Sequence, residues 1–228
     1  MKKLELVVFD MAGTTIRDDD AVNRCLREAL AVNGVEVTPE QVNAVMGLPK
    51  PVAIASLLSA RRAIPVSADH ATVRRLHGEF LRRMIEFYEH DPTVGPMPGA
   101  RECFETLRRR GAKLALDTGF SREIVDVILR RLGWDAPDLL DATVASDEVS
   151  RGRPHPDLIF EAMRRTGVAD PANVAKVGDT PSDLQEGIAA GCGWVVGVTN
   201  GTHTREQLLP HAPTHLIRSL AELPAVLP

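Results

Sequence analysis

The stretch VVFDMAGTT, residues 7–15, carries an apolar run into a lone aspartate and then turns on Ala-Gly-Thr. Such a run reads as a buried strand that delivers one carboxylate to the mouth of a sheet. The pattern recurs at 4–9 (LELVVF), 113–117 (KLALD), 142–146 (ATVAS), 173–178 (NVAKVG) and 194–199 (WVVGVT). Runs this apolar predict strands covered on both faces, as in parallel sheets. Amphipathic stretches at 99–110, 121–132, 156–166 and 181–190 fall between them. Strand and helix therefore alternate, and the fold expected is α/β, a doubly wound parallel sheet.

Residues 17–91 break this alternation. They carry helical periodicity in AVNRCLREALAVNG, PEQVNAVM, PVAIASLLSARR and HATVRRLHGEFLRRMIEFYEH. The expected organisation is a core of 1–16 and 92–228 interrupted by a helical domain at 17–91. TIRDDD (15–20) and the Pro- and Gly-rich DPTVGPMPGA (91–100) read as the two linkers, and paired hinges would let the insert move as a lid.

At 228 residues and a net charge of -4, the chain has length for two unequal domains and no broad attraction for nucleic acid or anionic lipid. Cys25, Cys103 and Cys192 are widely spaced and suggest buried thiols rather than a disulfide framework or a zinc site. No signal peptide or membrane-length apolar run is read, so the expectation is a cytoplasmic protein without membrane partners. His70, His77 and His155 lack metal-ligand spacing. Arg108–Arg110 and the pair Arg130, Arg131 sit at helix ends, where cations favour the dipole.

Ligands of open α/β sheets gather at the carboxyl ends of strands, which here carry Asp10, Thr118, Asp147 and Asp179. Gly13 and Thr14 form a turn whose amides could face an anion beside Asp10. Thr118 and Gly119 lead into a helix with Ser121 as the expected N-cap, which suits a phosphate oxygen. Asp179 and Asp183 in GDTPSDLQEG are hard oxygen ligands of the kind magnesium takes, although Thr180 and Asp183 also have the spacing of a capping pair. Arg151 and Arg153 in SRGRPHPD compete to supply a fixed positive fork.

Taken together, these residues resemble the haloacid dehalogenase superfamily of aspartate-nucleophile hydrolases across nearly the whole chain. Asp10 in DMAGT, Thr118 in LDTG, Arg153 in GRPHP, and Asp179 with Asp183 in GDTPSD match its four motifs in order. Two departures point to its phosphonatase-like branch: Ala12 replaces the usual second acid, and Arg153 replaces the usual lysine. MGLPK, 46–50, is similar to that branch's cap loop, with Met46 and Gly47 expected at the substrate and Lys50 at the position of a Schiff-base lysine. A histidine expected three residues later is Ala53. The resemblance implies magnesium held by Asp10, the Ala12 carbonyl, Asp179 and Asp183. It also implies Thr118, Arg153, Thr14 and Gly119 around the transferring group.

Chemistry relates the lone carboxylate to this branch. A leaving alkoxide needs an acid, which Ala12 cannot supply, whereas a carbon conjugated to a protonated imine leaves as an enamine without one. Lys50 either forms that imine or only binds the substrate's polar end. In the first case its pKa must fall from about 10.4, and Pro51 would place it near a helix N-terminus, which acts in that direction. Three functions follow from these alternatives: hydrolysis of a small phosphonate, hydrolysis of a small phosphate ester such as a phosphoglycolate-like metabolite, or silent ligand binding. A homodimer through the apolar face of 51–58 is a further expectation, with burial inside the insert as its rival.

Overall fold

The structure, a computed structural model, describes residues 3–62, 64–136 and 138–228. Residues 1 and 2, which open the expected core domain, lie outside the described residues. Strand β1 (Leu6–Asp10) is followed by helices α1 (Ala21–Ala31), α2 (Pro39–Asn43), α3 (Lys50–Arg62) and α4 (Ala71–His90). Alternation then begins with α5 (Ala100–Arg109), β2 (Lys113–Asp117), α6 (Arg122–Leu132), β3 (Ala142–Val144) and α7 (Asp157–Thr166). It continues through β4 (Val174–Gly178), α8 (Pro181–Ala190) and β5 (Trp194–Val198) to a final strand, β6 (His215–Ile217). The sheet is parallel throughout, in the order β3-β2-β1-β4-β5-β6.

Strand β6 is absent from the sequence reading. Its apolar content is only Leu216 and Ile217, flanked by His215 and Arg218, which is too little to stand out as a run. Strands β1, β2, β4 and β5 are largely buried, as their composition requires, while β3 at the opposite edge buries only Val144. Val7 and Phe9 of β1 join Phe104 of α5 and Ile124 of α6, while Leu6 and Val8 point the other way to Leu158 and Ala162 of α7. Phe104 stands edge-on between Phe9 and Trp134, with ring centroids 5.0 and 5.4 Å apart.

Both linkers run side by side. Ile16 bridges Pro96 in antiparallel fashion, Arg17 N donates to the Gly95 carbonyl at 2.9 Å, and Met97 N donates to the Thr15 carbonyl at 2.8 Å. Above them α1 packs on α4, and α4 also touches α6, so Leu26, Leu58, Phe80 and Tyr88 extend the hydrophobic core without a break. The loop before α3 descends onto the sheet's carboxyl edge. Gly47 takes a φ of +83°, and a Cβ there would lie 2.5 Å from Thr180 Oγ1; one on Gly119 would lie 2.7 Å from the Leu48 carbonyl oxygen. Close backbone approach at both positions is what glycine permits.

Phe104→Ala would remove the ring that joins β1 to α6. A loss of about 3–5 kcal/mol in unfolding free energy is expected, measured by urea denaturation.

Candidate active site

β1 and β4 are neighbours whose chains depart to opposite sides of the sheet, so a crevice opens at their carboxyl ends. Asp10 ends β1, Asp117 ends β2 in register with it, and Asp179 follows β4. Arg153, only 2% exposed, fills the space between these acids. Its Nη1 lies 2.6 Å from Asp10 Oδ1 and 2.9 Å from Asp183 Oδ1, and its Nε lies 3.0 Å from Glu186 Oε2. Nη2 donates to the Asp117 carbonyl at 3.0 Å and to the same residue's carboxylate. Arg151, the competing residue, is exposed and pairs with Asp157 at 3.3 Å.

Lys176 is a member of this cluster that the strand reading passed over. It lies fully buried in the middle of β4, and its Nζ sits 3.0 Å from Glu186 Oε2, 3.2 Å from Asp183 Oδ1 and against Asp117. Its signal was a lysine inside an otherwise apolar strand. Glu186 is likewise new, and it lies one helical turn after Asp183 on the same face of α8.

Carboxylates outnumber cations in this cluster, and burial and crowding together shift their proton affinities. Burial pushes Asp10 up to about 7, with Asp183 and Asp179 adding to the rise and Arg153 and Lys176 opposing it. Burial and then Asp183 push Asp179 up to about 6. Burial and Asp117 raise Glu186. Asp117 is buried too, yet Arg153 and Lys176 hold it below the ordinary carboxylate range.

Asp10, Asp179 and Asp183 each bring an oxygen within 4.8 Å of the others, all buried. An unbalanced set of hard oxygens fits a divalent cation such as magnesium. Asp179 is aimed by Thr14, whose Oγ1 donates to Oδ1 at 3.0 Å, and by Thr202 N, which donates to Oδ2 at 2.6 Å. A Cβ on Gly13 would stand 2.5 Å from Asp179 Oδ2, so the turn leaves room for that carboxylate. Asp183 combines both readings of its spacing. Its Oδ2 accepts from Thr180 N at 3.1 Å and its N donates to Thr180 Oγ1 at 3.3 Å, a capping box, while Oδ1 faces Arg153 and Lys176.

Most of the expected substrate residues converge. Asp10, Ala12, Met46, Gly47, Lys50, Thr118, Gly119 and Arg153 line one cavity of about 20 Å³, which is water-sized. It shares Asp18, Met46 and Thr202 with an outer vestibule of about 280 Å³. Lys50 opens α3 and is 4% exposed, with its Nζ 5.5 Å from the Phe120 ring centre and 5.9 Å from that of Phe80. Burial lowers its pKa to about 8, with Arg153 acting in the same direction and Asp18 and Asp10 opposing. At pH 7 about a tenth of it is then neutral amine.

Some expectations at the crevice are corrected. Thr14 is fully buried behind Asp179, so its hydroxyl supports that acid instead of facing the cavity. The amides of Gly13 and Thr14 turn inward, to the carbonyls of Ile16 (2.9 Å) and Met11 (3.3 Å). Ser121 makes no cap hydrogen bond; Asp147 does that work, its Oδ1 accepting from Arg122 N at 2.9 Å, which takes Asp147 out of the site. Thr118 lines the cavity while its Oγ1 also accepts from Phe120 N at 3.2 Å. Asp18, Thr180 and Thr202 line the cavity as well and were not anticipated there.

Comparison with known proteins follows the same lines. A family model described as haloacid dehalogenase-like hydrolase matches residues 4–191. A phosphonoacetaldehyde hydrolase of Bacteroides fragilis is 32% identical over 100% of this chain and 97% of its own length. One from Bacillus cereus is 33% identical over 88% of this chain and 77% of its own. Among solved structures, a phosphonoacetaldehyde hydrolase-like protein from Oleispira antarctica superposes with a TM-score of 0.83 at 24% identity, covering 98% of this chain and 91% of that one, a likeness of fold. No described helix is long and apolar enough to cross a membrane.

A carboxyl whose pKa is raised on folding loses stability as pH climbs from its unfolded value through its folded one, here from about 3.8 to about 7. Asp10→Asn in the presence of a chelator is therefore expected to raise unfolding free energy by on the order of 3 kcal/mol at pH 8, with the gain fading toward pH 4. Urea titrations at both pH values check this; a gain independent of pH would contradict the assigned crowding.

Proposed function

This chain belongs to the haloacid dehalogenase-like hydrolases, and we propose that it hydrolyses the carbon-phosphorus bond of a small phosphonate bearing a carbonyl. The observation that carries the reading is the placement of Lys50, buried and shifted toward its neutral form, on the wall of the cavity that holds Asp10 and where residue 12 is alanine. The kinship with phosphonoacetaldehyde hydrolases supports the same substrate class.

In this reading Lys50 condenses with the substrate carbonyl to give a protonated imine. Asp10 attacks phosphorus in line, the electrons of the carbon-phosphorus bond flow into the imine, and an enamine leaves. No acid is needed at position 12. The enamine, still on Lys50, takes a proton at carbon, and water hydrolyses the resulting imine to free the aldehyde and the amine; a second water hydrolyses the aspartyl-phosphate. Arg153 holds the Asp10 carboxylate and keeps positive charge beside the transferring group, while Thr118 contacts its oxygens. Met46, Gly47 and Gly119 shape the wall against the organic part. Asp10, the Ala12 carbonyl and Asp179 would hold magnesium, with Asp183 in support; when bound, the ion offsets the charge of the phosphonyl oxygens. The insert, residues 17–91, acts as a cap that opens for entry, since the closed cavity is smaller than any substrate.

A second reading, hydrolysis of a small phosphate ester, is favoured by one feature: Asp18 puts a carboxyl on the cavity wall that could protonate a leaving alcohol. The two separate in a phosphate-release assay with magnesium, phosphonoacetaldehyde and a panel of esters that includes phosphoglycolate. Release from the phosphonate is expected, lost by about a thousandfold or more in Lys50→Ala, with kcat/KM rising with pH toward about 8 as Lys50 deprotonates. Release from esters alone, indifferent to residue 50, would select the second reading.

A further inference from the structure

Imine formation moves protons that Asp10 and Lys50 cannot handle alone. Lys50 must give up an ammonium proton, and the carbinolamine must receive one before its oxygen departs as water. The titratable side chains on the cavity wall are Asp10, Asp18, Lys50 and Arg153. Asp10 is reserved for phosphorus, and a guanidinium does not release a proton in the working range. Ala12 and Ala53 offer none. His77 and Tyr88 on α4 do not line the cavity, and neighbouring Asp19 and Asp20 face only the outer vestibule.

Asp18 has the placement for this work. It lies where the first linker enters α1, on the wall of both the inner cavity and the vestibule. Its Oδ1 accepts from Val22 N at 3.0 Å, which fixes the carboxylate at the start of α1; Oδ2 carries no hydrogen bond among the described residues. No ion pair closes between Asp18 and Lys50 among the described residues; the water-sized cavity that both line separates them, with room for one bridging water. Burial holds the Asp18 carboxyl up at about 6, with the Val22 amide and Lys50 opposing, so both protonation states are accessible near neutrality.

We propose that Asp18 is the proton carrier for imine formation at Lys50. The proposal rests on the phosphonatase reading above. In the first step the Lys50 ammonium passes a proton, through one water in the cavity that both side chains line, to the Asp18 carboxylate. The freed amine lone pair then forms the carbon-nitrogen bond to the substrate carbonyl, and the nitrogen proton moves to the oxygen, giving the carbinolamine. Asp18 returns its proton to that hydroxyl, the carbon-oxygen bond breaks, water leaves, and the nitrogen lone pair completes the iminium with Asp18 again a carboxylate. Atoms and charge balance without a further reagent.

Asp18→Asn tests this cleanly, because the asparagine amide oxygen can accept from Val22 N as the carboxylate does, while the side chain can no longer carry a proton. The measurement is the rate of reductive trapping of phosphonoacetaldehyde on the enzyme by borohydride, with phosphate release followed in parallel, for wild type, Asp18→Asn, Asp18→Glu and Asp10→Asn. Expected are rapid trapping by wild type and by Asp10→Asn, the latter without phosphate release, and trapping slowed about a hundredfold or more in Asp18→Asn. Asp18→Glu, which restores a carboxyl, is expected to recover part of the loss. Trapping by Asp18→Asn at the wild-type rate would overturn the proton-carrier role and leave the phosphonatase reading intact. No trapping by the wild type would overturn both. A loss in Asp18→Asn accompanied by a fall in its thermal midpoint, with no recovery in Asp18→Glu, would assign Asp18 to structure alone.

Discussion

One guanidinium, cut off from water, holds the carboxyl edge of the sheet together. Arg153 reaches Asp10 at the end of β1, Asp117 at the end of β2, and Asp183 and Glu186 on α8, so strands on both sides of the crevice share one cation. Removing such a buried partner leaves uncompensated charge, which costs far more than a surface pair. Lys176 repeats the arrangement from inside β4 and binds Asp117, Asp183 and Glu186. Even with both cations carboxylates outnumber them, and Asp10 and Asp179 are pushed up by burial first and by neighbouring carboxylates second. The surplus is the physical basis for assigning a divalent cation to Asp10, Asp179 and Asp183.

Against this fixed floor the insert supplies the adaptable part. The loop 46–50 approaches the core so closely that Gly47 and Gly119 have no space for a side chain, and this contact delivers Lys50 to the Asp10 cavity. A lysine among Phe80, Phe120 and other buried groups is costly as an ammonium, and the same burial that destabilises the charged form makes the amine available for chemistry. The twin linkers at 15–17 and 95–97 pair with each other at the base of the insert, and Asp18, Met46 and Thr202 line both the water-sized cavity and the vestibule beside it.

Much of this was legible in the chain itself. Asp10, Thr118, Asp179 and Asp183 stand at strand ends or one turn beyond, and the topology of a parallel sheet collects such positions whatever the details of packing. Glu186 was within reach through its spacing from Asp183, and Lys176 through its place in an apolar strand. Asp18 was not, because DDD in a linker reads as solvated charge until the pairing of residues 15–17 with 95–97 fixes where it lies. The same dependence on tertiary context reversed the turn at Gly13 and Thr14: their amides serve the loop's own carbonyls, and Thr14 serves Asp179. Strand β6 escaped because its two apolar residues, Leu216 and Ile217, stand between His215 and Arg218 and make no run of their own.

In the proposed reaction Lys50 carries the organic half of the substrate as an imine. The most direct test is to quench turnover of phosphonoacetaldehyde with borohydride, digest the protein and locate the adduct by mass spectrometry. A reduced two-carbon adduct is expected on the peptide that contains Lys50. A protein that releases phosphate from the phosphonate yet carries no adduct, or carries it on another lysine such as Lys113, would contradict it.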